Sequence, residues 1–332
     1  MIDKTSPSMA LGTAADAAVP TTATAPAAAR REFPWHVVVF LAPAVIVYTL
    51  VMILPLAETL RLSFFNRAPG GPEIFVGLQN FAQLFFDERW SGQFWNALWN
   101  NLYFFLIHMA VQNPIGVALA AILSMAHLPG RTFYRTAIFV PTMLSVVIIG
   151  FAWKLILSPI WGVSSSLLDA VGLRWLYAPW LGKEEYALTA LSLISVWQYV
   201  GIPMMLIYAA LLNIPGEVIE AADLDGVRGP SLFFKVKLPL ILPSIGIISI
   251  LTFIGNFNAF DLIYATQGGL AGPNFSTDLL GTLLYRVFFG FQIQTGDPHM
   301  GATIATVMFL IILAGVMVYL LGVQRRMTRY QF

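Results

Sequence analysis

Cysteine is absent from all 332 residues. That excludes disulfides, thiolate nucleophiles and cysteine-ligated metals. Charge is scarce too: 11 % of residues are Asp, Glu, Lys or Arg, against 58 % hydrophobic. Soluble domains carry roughly 25 % charged residues, so a deficit this large implies apolar surface that faces lipid. The net charge of +1 creates no broad field to recruit nucleic acid. No Gly-x-x-x-x-Gly-Lys-Ser/Thr run occurs, so the chain cannot hydrolyse ATP alone. HExxH, GxSxG and catalytic carboxylate pairs are missing as well, and no catalytic residue, metal or cofactor is expected. The length would suit about two soluble domains; in lipid it suits one bundle of several spans.

Residues 1–29 are rich in Ala, Thr and Pro and lack aromatics, a composition that cannot bury enough apolar area to fold. They read as a disordered tail before a membrane domain over 30–332. Arg30-Arg31 faintly resembles a twin-arginine secretion signal. The apolar run behind it is full length and more spans come after it, so it reads as the charged flank of a first span. A span needs about 20 apolar residues. Qualifying segments are His36–Leu56, Leu98–Ser124, Ala137–Leu157, Tyr186–Leu212, Leu240–Ile263 and Gly301–Val323, which predicts an all-α polytopic membrane protein with six transmembrane helices.

Cations set the orientation. Arg30, Arg31, Arg131, Arg135, Arg228, Lys235, Lys237, Arg325, Arg326 and Arg329 crowd one side. Arg61, Arg67, Arg89, Lys154, Arg174, Lys183 and Arg286 are spread over longer loops on the other. The first side is read as cytoplasmic and holds both termini. Most tryptophans fall near predicted span ends, where indoles favour the interface; Trp197 sits inside the fourth span. Span interiors hold few ionisable groups, chiefly His108 and Asp261. Ion-coupled carriers rely on buried carboxylates, so this scarcity argues against ion coupling.

The loop 213–239 is the most informative segment. Pro215 suits a helix start, Glu217 and Glu220 suit its positive end, and Gly226 suits a left-handed cap. Pro230 can open a second short helix through Phe233, Phe234 and Val236, which Leu238-Pro239 ends. The expected result is a helix–turn–helix at the membrane surface, exposing Ala221 and Ala222 beside Glu220, Asp223 and Asp225. The spacing is Glu220-Ala221-Ala222, three residues, Gly226, nine residues, Val236, one residue, then Leu238-Pro239. It resembles the EAA loop of ATP-binding-cassette importer permeases, with Val236 where Ile is commoner. Phe40-Leu-Ala-Pro-Ala through Pro55 to Ser63-Phe-Phe-Asn66 is similar to carbohydrate permeases of the maltose permease F type. So are Gly77-Leu-Gln-Asn-Phe81, Phe94-Trp-Asn-Ala-Leu98, and Asn258 to Tyr264 followed by Gln267-Gly-Gly. The extra N-terminal spans and large outer domain of that permease have no counterpart in the tail 1–29.

The resemblance implies a type I ABC importer permease fold in a bacterial inner membrane, with a cytoplasmic coupling helix. It implies four kinds of partner: a second homologous permease, two copies of an ATP-binding subunit, an extracytoplasmic solute-binding protein and a sugar-type substrate. Glu220, Ala221, Ala222, Asp225 and Gly226 would then dock on the ATPase. Sugar recognition calls for amides and flat apolar faces in an otherwise apolar site, and the fifth span offers Asn256, Phe257, Asn258, Phe260 and Asp261. Asn256 and Phe260 are four apart and would share a helix face. By the resemblance, Asn256 holds a sugar-contacting position. Trp197 and Gln198 could add a platform and an amide. Gln112 and Asn113, beside Pro114, read as mending a kink, and His108 as a hydrogen-bonder between helices. The segment from Gly268-Gly269 to Met300 reads as an outer loop. A charged ligand such as glycerol phosphate would need a cation nearby, and Lys154 and Arg286 keep that alternative open.

Overall fold

The computed structural model describes residues 35–67, 71–125, 127–292 and 294–324. The expected tail 1–29 and the cations Arg30, Arg31, Arg325, Arg326 and Arg329 lie outside the described residues. Contacts divide the chain into two units, Met1–Met52 and Ile53–Phe332. The first contributes the helix Trp35–Tyr48. Its large apolar side chains, from Trp35 through Phe40 to Tyr48, are exposed, as lipid-facing residues are in a membrane helix.

Among the described residues, four helical stretches are long and apolar enough to cross a bilayer: Val37–Leu62, Ser91–Leu123, Pro230–Gln267 and Pro298–Gly322. Two bent pairs, Arg131–Met143 with Val146–Ile156 and Glu184–Tyr199 with Gly201–Leu212, raise the count to six if each is one span. All six sequence segments are therefore helical, but the third and fourth are not the straight helices expected. The third turns by 95° because Leu144 and Ser145 both adopt extended backbone. The fourth bends by 41° at Val200, just before Pro203, whose ring cannot continue the hydrogen-bond ladder. The fifth helix also stops early, at Phe257. Asn258–Phe260 are non-helical, and a short helix, Asp261–Gln267, comes next.

Proline leaves a second mark. Five-residue π-helical stretches lie at Thr49–Ile53, His108–Gln112 and Phe233–Lys237. Each is followed by a residue and then a proline: Pro55, Pro114 and Pro239. Proline removes one amide donor and presses on the carbonyl a turn behind it. The wide turn accommodates both effects, with Asn113 N–H donating to the His108 carbonyl and Leu238 N–H to that of Phe233. Leu238-Pro239 therefore does not end a separate short helix. The helix opened by Pro230 runs through the wide turn into the fifth span.

In the unit Ile53–Phe332, one apolar cluster joins Phe94 and Ala97 to Leu283, Val287, Ile304 and Val307. A second gathers Phe104, Ile149, Leu191 and Ile263. A third gathers Ala120, Met204, Ile207 and Ile248. Small residues allow the close approaches that membrane helices use. A Cβ at Gly116 would stand 3.0 Å from the Pro203 side chain, and one at Gly201 2.9 Å from the Ile138 carbonyl. Gly116→Leu is expected to lower stability by about 1–3 kcal/mol, read as an earlier thermal unfolding midpoint of the detergent-solubilised protein.

The region expected to be an outer loop carries more structure than anticipated. It contains the helix Leu280–Phe289 and a two-stranded ribbon pairing Gly290–Phe291 with Gln294–Thr295. At its centre, fully buried Asp278 meets Arg286, with Nη2 donating to Oδ2 at 2.5 Å and Nη1 to Oδ1 at 3.2 Å. The Thr282 hydroxyl donates to the same carboxylate at 2.6 Å, and Arg286 Nη1 also donates to the Gly269 carbonyl. Burial pushes the Asp278 carboxyl up, opposed by the neighbouring guanidinium and hydroxyl. Asn96 and Asn100 tie the Phe275 and Asp278 carbonyls to the second span. Ala271, Asn274 and Phe275 hold positive φ here, a strained backbone that this network over-determines.

Candidate functional site

Two features stand out: a capped hairpin between the fourth and fifth spans, and a cavity among the helices.

The hairpin begins at Pro215, which precedes the helix Gly216–Leu224 as its N-cap residue. Gly226 adopts φ 75°. Its N–H donates to the Asp223 carbonyl at 3.1 Å, and the Val227 N–H to the Ala222 carbonyl at 2.9 Å. That bond pair is a Schellman cap, which closes the helix with a fixed turn. Glu220, Ala221, Asp225 and Gly226 are exposed. Ala222 is buried, contrary to the expected exposed pair; it lies on the opposite side of the short helix from its solvent face. Asp223 pairs with Arg228 at 3.5 Å. Glu217, Glu220 and Asp225 form no ion pair with a described residue, leaving a rigid knob with free negative charge.

The cavity is about 500 Å³ and is lined by the second, fourth and fifth spans, with Val146 of the third and the start of the short helix Asp261–Gln267. Of the sequence-expected ligands, Asn256, Asn258, Phe260 and Asp261 line it. Because the helix ends at Phe257, Asn256 and Phe260 do not share a helix face as expected; the non-helical turn brings both to the cavity. Asn256 Nδ2 donates to the Thr252 carbonyl at 2.7 Å, while its buried Oδ1 has no partner among the described residues. Phe260 stacks on Tyr264 at 5.0 Å and contacts Tyr285 at 5.2 Å. This aromatic wall borders a second cavity of about 430 Å³, which shares Asn258 and Phe260.

Phe257, Trp197 and Gln198 do not line the cavity. Phe257 is buried against Phe253 and Phe105. Trp197 packs edge-on to Trp153, and Gln198 Nε2 donates to the Leu144 carbonyl at 3.3 Å. The expected mending of the kink by Gln112 and Asn113 is likewise replaced. The π turn absorbs the proline, and Asn113 Oδ1 instead accepts from Thr252 Oγ1 at 3.2 Å. His108 does bond between helices, meeting Ser195 Oγ at 2.9 Å. Sequence reasoning missed His108, Gln112, Ser195, Tyr199 and Thr252 as cavity residues. Their polarity within apolar runs was the available signal. Arg286 is committed to Asp278, and neither it nor Lys154 reaches the cavity. Among the described residues, no group of three or more His, Asp or Glu is placed to hold a metal ion.

A membrane chain with a cavity between bent helices and a rigid surface knob has the parts of a transport permease, and comparison with known proteins decides the matter. Residues 112–329 match the family model described as binding-protein-dependent transport system inner membrane component. The chain belongs to that family. The permease is 32 % identical to the multiple sugar-binding transport system permease protein MsmF of Streptococcus mutans, over 72 % of this chain and 77 % of that protein. It is 30 % identical to the sulfoquinovosyl glycerol transport system permease protein SmoG of Agrobacterium fabrum, over 85 % and 88 %. Its fold superimposes with a TM-score of 0.74 on a chain of a bacterial ABC transporter involved in the import of the acidic polysaccharide alginate. That match covers 90 % of this chain and 96 % of the other at 20 % identity. The fold is that of a type I importer permease, and the chain is a transport component rather than an enzyme.

Proposed function

We propose that this permease is one of two membrane subunits of an ATP-driven importer that carries a sugar or sugar derivative across a bacterial inner membrane. The carrying observation is the Schellman-capped helix Gly216–Leu224, an exposed acidic knob built rigidly between two spans. Glu220, Ala221, Asp225 and Gly226 enter a cleft on a partner ATPase, and buried Ala222 backs the helix. Closure of the ATPase dimer moves the knob as a rigid body, and the attached fourth and fifth spans switch the cavity between the two sides. A solute-binding protein delivers ligand from outside, and a second permease completes the pathway. The cation distribution supports a cytoplasmic position for this knob and for both termini.

Asn256, Asn258, Phe260 and Asp261 form the substrate side of the cavity. Amides supply hydrogen bonds, and the Phe260–Tyr264 stack supplies a flat face for sugar C–H surfaces. The test is uptake by the assembled transporter, in which the permease is coexpressed with a partner ATPase, a second permease and a binding protein. Neutral sugars should enter only when ATP is supplied. Asn256→Ala should raise the KM for uptake about fivefold or more, the cost of losing one buried hydrogen bond, without loss of assembly. Uptake independent of ATP would overturn the proposal, and unchanged kinetics would remove Asn256 from the site.

A further inference from the structure

Gln112 closes the π turn His108–Gln112, its side chain is 6 % exposed, and it lines the cavity. Its Oε1 has no hydrogen-bond partner among the described residues. Asn256, on a different span, lines the same cavity, is also 6 % exposed, and has a partnerless Oδ1. Leaving a polar atom buried and unpaired costs about 1–3 kcal/mol. Two residues that each carry such an atom line one cavity, and a small turn of either carboxamide would offer its oxygen to a donor arriving there.

The rest of the lining narrows what those donors are. Among the described residues no Lys or Arg borders the cavity, and the one carboxylate that does, Asp261, is exposed. Thr252 is already engaged with the Ile248 carbonyl and Asn113, and Ser195 with His108. The unengaged buried acceptors are thus the two carboxamide oxygens. An anionic ligand would meet acceptors and a carboxylate with no cation to balance it. A hydroxyl brings an O–H donor without charge.

We infer that Gln112 and Asn256 form a two-acceptor clamp, contributed by the second and fifth spans, that reads hydroxyl groups of an uncharged sugar. This rests on the sugar-import reading and adds both a specificity-determining residue and the ligand's charge. Phe104, His108 and Gln112 follow one another at four-residue steps and all line the cavity, so Gln112 extends one helix face toward it.

The test uses the assembled transporter in proteoliposomes, with radiolabelled maltose, lactose, raffinose and trehalose as neutral probes and digalacturonate as the anionic one. For a neutral sugar that enters, each monodeoxy derivative is then compared with its parent. At least one derivative should enter about tenfold less efficiently in the wild type, the expected effect of leaving a built acceptor unpaired. In Gln112→Leu the parent's KM should rise about tenfold, and that parent-to-deoxy ratio should fall to near one. Gln112→Met, which keeps length and shape without either polar atom, carries the same readout should the leucine variant fail to assemble. Neutral uptake with every parent-to-deoxy ratio unchanged in the variants overturns the clamp while the sugar reading stands. Entry of digalacturonate alone overturns the uncharged ligand. Entry of none of the five removes the sugar reading itself, and the clamp with it.

Discussion

Glu220→Lys should abolish uptake and strip the ATPase from the purified transporter while the permease still reaches the membrane. Glu220 sits on the exposed acidic face of the helix Gly216–Leu224 and has no ion-pair partner among the described residues. Its charge is therefore available to an incoming cleft. Reversing a charge that becomes buried and paired at an interface costs about 2–5 kcal/mol, a loss of roughly 30-fold or more in affinity. The substitution falls on an exposed helical position, where Lys is as good a helix former as Glu, so folding should be spared. Copurification of the ATPase, ATP-dependent uptake and membrane insertion are the three measurements. As a control, Glu185→Lys reverses charge at the start of the helix Glu184–Tyr199, at the opposite end of the fourth span, and should leave all three intact. A Glu220→Lys transporter that retains its ATPase and imports normally would dismiss the docking role.

The second large effect is expected at the buried ion pair. Arg286→Met leaves the Asp278 carboxylate fully buried with only the Thr282 hydroxyl as a side-chain partner. Removing one partner of a buried pair typically costs about 3–5 kcal/mol. The strained turn at Ala271, Asn274 and Phe275 should loosen with it, because the Arg286 bond to the Gly269 carbonyl is lost too. Direction with pH is set by the carboxyl. Burial already holds Asp278 above its ordinary value, and without Arg286 that rise is unopposed by charge. A group whose folded value is raised favours the folded state at low pH and penalises it as pH increases. The variant should therefore be least stable at neutral pH and recover toward the wild type in acid, followed by thermal unfolding in detergent across that range. Asp278→Asn combined with Arg286→Met should be milder than Arg286→Met alone, since neither charge remains. Equal destabilisation at every pH would show that Asp278 does not carry the penalty.

Much of this architecture is legible in the sequence because lipid imposes one dominant rule. Long apolar runs must be helices, and all six expected runs are helical. The hairpin is legible for a different reason: Pro215, Gly226 and Pro230 each do something only those residues do well, and Gly226 takes up the left-handed cap. Bends are less legible. Leu144 and Ser145 are ordinary residues, and the Leu144 carbonyl freed at the 95° turn is met by Gln198, fifty-four residues away. The cavity is half legible. Asn256, Asn258, Phe260 and Asp261 fall on it because their polarity is conspicuous in an apolar run. Gln112 and His108 read from the sequence as groups that serve the helices themselves, and His108 does bond Ser195 while also lining the cavity. Gln198 failed in the opposite sense: an amide inside a span serves a neighbour's broken backbone as readily as a ligand. Burial of Ala222 could not be read at all, since it depends on what the hairpin folds against.

The two bent spans also fit together at their bends. The extended residue Leu144 in the third is held by Gln198 of the fourth, and Gly201, next to the fourth's own bend, lies against the Ile138 backbone of the third. Straightening the third span at Leu144 would move the carbonyl that Gln198 holds, and a side chain larger than hydrogen at Gly201 would push the two elbows apart.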